Sequence, residues 1–133
     1  DMKYSDAEIA KRFSRIRDYP QINQGGVKEM HRQVGDLIID EDGIAVSGLL
    51  VRHLVLPNNL AGTEQVIQFL CEQISHNTYL NIMKQYHPAY KSHHYPDLNR
   101  RLTNQEYHSA VDMAVSSGMT NLDQRKSRFW NIQ

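Results

Sequence analysis

Gly48-Leu49-Leu50-Val51-Arg52-His53-Leu54-Val55-Leu56-Pro57 is the most informative run of the chain. Between the glycine and the proline the chain is nearly unbroken apolar, and it is too short for a buried helix. That is the pattern of a strand buried on both faces, as in a parallel sheet. Downstream, Thr63 can cap a helix carrying Val66, Ile67, Leu70 and Ile74, and Tyr79-Leu80-Asn81-Ile82-Met83 reads as a second buried strand. Strand, helix, strand implies parallel pairing through a right-handed crossover. The result is either an open doubly wound sheet or an arc of a barrel, and periodicity does not choose between them.

Upstream, Ser5 and Glu8 have the spacing of a capping box, and Ile9, Phe13 and Ile16 follow at helical intervals, predicting a helix over 5–17. Pro20 ends or restarts that element. Val27, Met30 and Val34 mark a second helix over about 21–34, closing at Gly35. Leu37-Ile38-Ile39 and Ile44-Ala45-Val46 flank Asp42-Gly43, which predicts a small β-hairpin inserted ahead of the main strand. A polar stretch rich in histidine and tyrosine, about 85–100, precedes a second capping box at Thr103 and Glu106. Its helix has Ala110, Val111, Ala114 and Val115 as the apolar face and stops at Gly118. Met119-Thr120-Asn121-Leu122 is expected to be a last short strand.

The whole chain is 133 residues, the size of one domain. Lys+Arg and Asp+Glu stand at 15 each, so the broad basic surface of a nucleic-acid binder is missing. No apolar run approaches the roughly 18 residues of a membrane helix, and Asp1-Met2-Lys3-Tyr4 is not a signal peptide. A cytoplasmic location is the expectation. The single cysteine, Cys71, supplies neither an internal disulfide nor a thiolate cluster. The chain opens on Asp1, just ahead of a helix signal, as a trimmed fragment would.

In parallel α/β folds, ligands sit beyond the carboxyl ends of the strands. Three clusters fall there: Asp1-Met2-Lys3, Arg52 through Asn58, and Lys84-Gln85-Tyr86-His87-Pro88. Together they offer cations for a carboxylate and an aspartate for a cationic group, suited to a zwitterionic or ribose-bearing molecule. Plainer readings compete. On the residues alone, Arg52 inside an apolar strand reads first as half of a structural ion pair. His53 alternates to the opposite face and should pack against a helix. His76 and His93-His94 sit in polar stretches, Cys71 behaves as a small hydrophobe, and Gly25-Gly26 lacks the strand and third glycine of a dinucleotide fingerprint. Arg125-Lys126-Ser127-Arg128 reads as a solvated tail, followed by Phe129 and Trp130.

The order of these motifs resembles the C-terminal half of radical S-adenosylmethionine enzymes, and more narrowly those of the pyruvate formate-lyase activating type. Such proteins have a partial (β/α)6 TIM-like barrel. Its fourth strand ends in Asp-x-Lys, its fifth carries an Arg before an apolar run ending in Pro, and its sixth ends in Tyr-His. The counterparts are Asp1-Met2-Lys3, Arg52 through Pro57, and Tyr86-His87, across about residues 1–90. On this resemblance, residues 1–122 are the C-terminal half of the barrel with an inserted hairpin, and 123–133 are a tail.

The resemblance also implies roles. Asp1 would lie near the methionine carboxylate end of the cofactor, beside a cation, and Lys3 would hold that same end. Arg52 would contact the ribose or methionyl portion, Val55, Leu56 and Pro57 the adenine, and His87 would close the site. The family's [4Fe–4S] cluster rests on a Cys-x3-Cys-x2-Cys loop with no counterpart in these 133 residues, as has the glycine-rich stretch that meets the cofactor's amino group. Asn58-Asn59 replaces the small and aromatic residues expected after the proline. The chain alone is therefore expected to be catalytically silent, without bound cofactor or metal, the cluster ligands lying outside it. In the full-length protein the expected partner is a glycyl radical enzyme or another protein or peptide substrate. The fragment itself is expected to associate through its open sheet edge near Asp1. The alternative is a non-catalytic α/β binding or scaffold module.

Overall fold

A computed structural model describes residues 1–123; Arg125 through Trp130 lie outside the described residues. The 48–57 run forms β3 (Leu50–Leu54), which pairs in parallel with β4 (Tyr79–Met83), Arg52 opposite Asn81 and Leu54 opposite Met83. Single parallel bridges extend the pair on both sides, from Met2 to His53 and from Leu80 to Leu122. Spatial order therefore follows chain order: Met2, β3, β4, Leu122. Of the expected last strand only Leu122 pairs, anchored by Asp123 N–H donating to the Leu80 carbonyl at 2.9 Å.

Four α-helices complete the architecture of the described residues: α1 (Ala7–Ser14), α2 (Tyr19–Val34), α3 (Thr63–Gln73) and α4 (Asn104–Ser116). Right-handed crossovers between strands laid down in sequence order place their helices on one face of the sheet. One apolar cluster bears this out, joining Val27 of α2, Ile67 and Leu70 of α3 and Ala110 and Ala114 of α4 to Val51, Leu80 and Ile82. The opposite face carries Leu50, Arg52, Leu54, Asn81 and Met83, each at least partly exposed; none belongs to that cluster, and Leu54 packs at its end in a second one that includes Phe13 of α1. The central strand is thus covered on one face, not on both. A sheet of alternating residues can be dry on one side and wet on the other.

Several boundaries depart from the sequence reading for local reasons. Asp6, not Ser5, caps α1, its carboxylate accepting from Ile9 N–H at 2.9 Å. Ser5 instead packs against Gly62, where φ is +64° and a Cβ would collide with the serine hydroxyl. α1 stops at Arg15 in the left-handed region, and α2 starts two residues earlier than predicted because Pro20 suits a first turn. Thr63 is the first residue of α3; its hydroxyl is taken by a histidine, and Gly62 is the cap. The Thr103–Glu106 capping box is present in full, and Gly35 closes α2.

The hairpin is β1 (Ile38–Ile39) against β2 (Ala45–Ser47), antiparallel, with Gly43 at φ +79° in its turn. It leaves the sheet at the amino end of β3. Gly48 makes the junction: at φ +98° its Cβ position is filled by the backbone of Asp36 and Leu37, so no other residue fits. Among the described residues no helix is long and apolar enough to cross a membrane.

Candidate functional site

The bare face of the sheet becomes concave at its carboxyl end. A cavity of about 310 Å³ there is lined by Asp1, Lys3, Arg52 and His87, with Leu54, Met83, Gln85, Tyr86 and Ala89 completing its wall. Four residues singled out from sequence thus converge on one hollow from the segment around the Met2 bridge, from β3 and from the loop after β4.

Alternation and two hydrogen bonds explain the convergence. Met2 N–H donates to the Arg52 carbonyl at 2.8 Å, and the His53 imidazole donates from Nδ1 to the Met2 carbonyl at 2.8 Å. With its proton on Nδ1, His53 accepts at Nε2 from the Thr63 hydroxyl at 2.9 Å. His53 is fully buried, and burial lowers its pKa, against the opposing effect of the Met2 hydrogen bond. The neutral ring therefore clamps Asp1-Met2-Lys3 to β3 from the helix side. The sequence placed it against a helix, and there it bonds Thr63 of α3; its second bond, to Met2, makes it a positioning residue behind the site.

With Met2 pinned inward, Asp1 and Lys3 point to the bare face. Arg52 meets the Asp1 carboxylate through both Nε and Nη2, at 2.7 and 3.0 Å. The Asp1 carbonyl accepts from Asn23 Nδ2 and the Lys3 amide donates to Tyr19 hydroxyl, each at 2.9 Å, so α2 steadies the segment. The Arg52 side chain is 53% exposed and that of Asp1 39%. A pair so open to water is worth less than about 1 kcal/mol. Stability therefore accounts poorly for an arginine in the middle of an apolar strand.

The far rim is built by the loop after β4. Tyr86 donates its hydroxyl to the Leu98 carbonyl at 2.8 Å and packs in a second apolar cluster with Leu56, Ala61 and Leu98, which raises its pKa through burial. That anchor holds His87, which is exposed, at the rim. Lys84 goes the other way, its ammonium 5.7 Å from the Tyr107 ring.

Val55, Leu56 and Pro57 are not brought to this hollow. All three are buried. Val55 belongs to the helix-side core, and Val55 and Leu56 line a separate cavity of about 260 Å³ with Asn59, Glu106 and Met113. Alternation turns Val55 to the helices after Arg52 and Leu54, whereas Leu56, on the parity of Leu54, is covered by the second apolar cluster with Ala61 and Leu98, and Pro57 opens a short helical turn. Beside this second cavity Asn58 sits in the left-handed region, at φ 58°. Its amide and side-chain carbonyl are held by Glu106 and Arg100 at 2.8 Å each. Arg100 holds the Glu106 carboxyl well below the usual carboxylate range, so that carboxylate is fully engaged in structure.

Leu54 and Gln85 fell inside the strand-end clusters without being given a role, and Met83 lay outside them. Continuing the alternation from Arg52 to Leu54, and from Asn81 through Met83 to Gln85, would have found them. Among the described residues no group of three His, Cys, Asp or Glu is placed to hold a metal ion. The rings of His93 and His94 lie against each other at 4.1 Å. Cys71 is half-buried on α3, with its thiol directed at the Ser117 carbonyl and its pKa raised by burial. It does not fit an iron–sulfur cluster, which needs several thiolates.

Compared with curated proteins, the chain is 36% identical over 115 residues, 86% of its length, to an uncharacterized protein of Methanocaldococcus jannaschii. It spans 30% of that protein's length. No protein-family model matches the chain, and no solved structure does.

Proposed function

We propose that the hollow beneath Asp1, Lys3, Arg52 and His87 binds the sulfonium cofactor S-adenosylmethionine, and that the chain is the C-terminal half of a radical enzyme's partial (β/α)6 barrel. The parent would be of the pyruvate formate-lyase activating type, a cytoplasmic protein acting on a glycyl radical enzyme or another protein or peptide. The observation that carries this reading is the convergence of one carboxylate, two cations and an imidazole at the carboxyl end of a parallel sheet whose inner face is largely open.

The donor set suits the ligand. A sulfonium amino acid presents a carboxylate, for which Lys3 and Arg52 are matched, and cationic groups, for which Asp1 is matched. Leu54 and Met83 supply apolar floor, and His87 the rim. Val55, Leu56 and Pro57 do not line the hollow, which leaves Leu54, Met83 and Gln85 as the better candidates for nucleoside contact. The cofactor, once cleaved reductively, supplies a 5′-deoxyadenosyl radical, and the cluster that cleaves it has to come from outside these 133 residues. The chain's own part is to bind and orient.

One observation favours the second reading, a non-catalytic α/β module: Asp1 and Arg52 satisfy each other in a two-point pair. Calorimetric titration of S-adenosylmethionine into the longer protein that contains this chain decides between them. Binding should occur and should weaken at least about tenfold in both Lys3→Ala and Arg52→Ala, the loss of one charge-assisted contact each. Equal affinity in parent and both variants refutes the assignment.

A further inference from the structure

At the opposite end of the sheet the hairpin breaks the rule that large apolar residues are covered. Ile38 is 59% exposed, Ile39 40%, Ile44 63% and Val46 65%, and Met30 and Val34 at the adjoining end of α2 are 47% and 51% exposed. Six of the ten large apolar residues that stand exposed in the described chain thus fall within one stretch of 17 positions, 30–46. A cluster of that kind marks an interaction surface more often than chance scatter does. Among the described residues, both strands of the hairpin also have an outer edge without a partner strand.

The hairpin is held firmly at its base. Asp36 accepts from the Ser75 hydroxyl at 3.0 Å and shares a 2.9 Å hydrogen bond with His31 Nε2, tying α2, the hairpin and the turn before β4 together. Leu49 N–H donates to the Gly35 carbonyl at 2.9 Å. In the turn, Asp40 accepts from the amides of Asp42 and Ile44 at 3.0 and 2.8 Å. This is a prearranged platform, so little ordering would be lost on docking.

Charge says what fits it. From Asp36 to Val51 the chain has four acidic residues and no lysine or arginine. Glu41 and Asp42 are exposed at the tip, and neither takes part in an ion pair among the described residues. An acidic tip on an apolar ribbon disfavours a second copy of itself, since like charges would meet. We infer that the hairpin docks an extended, basic and aliphatic segment of another protein, which adds a strand to its free edge and sets Lys or Arg side chains beside Glu41 and Asp42.

The test uses a short synthetic peptide alternating Val and Lys, a matching peptide alternating Val and Glu, and the longer protein that contains this chain, read by fluorescence anisotropy. The Val/Lys peptide should bind, more weakly as salt rises from about 50 to about 300 mM, and the Val/Glu peptide should not. Ile44→Ser/Val46→Ser and Glu41→Lys/Asp42→Lys should each weaken binding about tenfold with an unchanged circular dichroism spectrum, because these side chains are already solvent-facing. Equal binding of both peptides, or full affinity in either double variant, overturns the inference. So does a parent dimer that Ile44→Ser/Val46→Ser converts to monomer, which would make a second copy the occupant. Strong hydrogen-exchange protection of the hairpin edges in the unliganded longer protein would likewise overturn it, assigning the surface to that protein's own remaining chain.

Discussion

His53 and Arg52 are neighbours in sequence and opposites in circumstance. The imidazole is sealed under α3 with both ring nitrogens engaged, while the guanidinium lies over half exposed on the bare face with a single carboxylate for company. The same division runs through the strands: Val51, Leu80 and Ile82 are in the helix-side core, whereas Leu54, Asn81 and Met83 meet solvent. One face of the sheet holds the fold together, and the other is free to be shaped for a ligand.

Substitutions should separate the faces cleanly, beginning with the helix side. Leu80→Ala removes a side chain with no solvent exposure and should cost about 2–5 kcal/mol of unfolding free energy, measured by urea denaturation. His53→Ala should cost about 3 kcal/mol, because it empties a buried volume and leaves the Met2 carbonyl and Thr63 hydroxyl without partners.

The histidine also predicts a pH dependence. Its folded pKa lies below the ordinary 6.5, so the unfolded chain takes up the proton first. Stability is therefore full above about pH 6.5 and declines as pH falls below it. In His53→Gln that part of the decline should disappear from a series of denaturation curves. An unchanged slope would mean the ring is accessible to protons in the fold. Thr103→Ala, at the capping box of α4, should cost about 1 kcal/mol and leave ligand affinity intact, since α4 lies behind the sheet.

How much of this was legible from the residues depends on whether a local rule or a distant contact decides each feature. The Leu49–Leu56 run, the Gly35 stop, the Asp42-Gly43 turn and the Thr103–Glu106 box are local chemistry, and each stands where the sequence puts it. Ser5 and Thr63 are also good capping residues, but one packs against Gly62 and the other bonds His53, contacts that no window of sequence contains. The bare face was hidden because Leu50, Leu54 and Met83 are as apolar as the core residues between them; only Arg52 and Asn81 betray it. The convergence of Asp1, Lys3, Arg52 and His87 was legible from strand-end placement. The departure of Val55 was legible too, had the alternation been continued two residues past His53.

Arg52→Ala, followed at once by urea denaturation and by S-adenosylmethionine titration in the longer protein, puts the division of labour to its most direct test. The denaturation midpoint should stay within what the loss of an exposed pair allows, less than about 1 kcal/mol, while affinity falls at least about tenfold. A midpoint lowered as far as that of Leu80→Ala, with affinity untouched, would make Arg52 a structural residue and contradict the account.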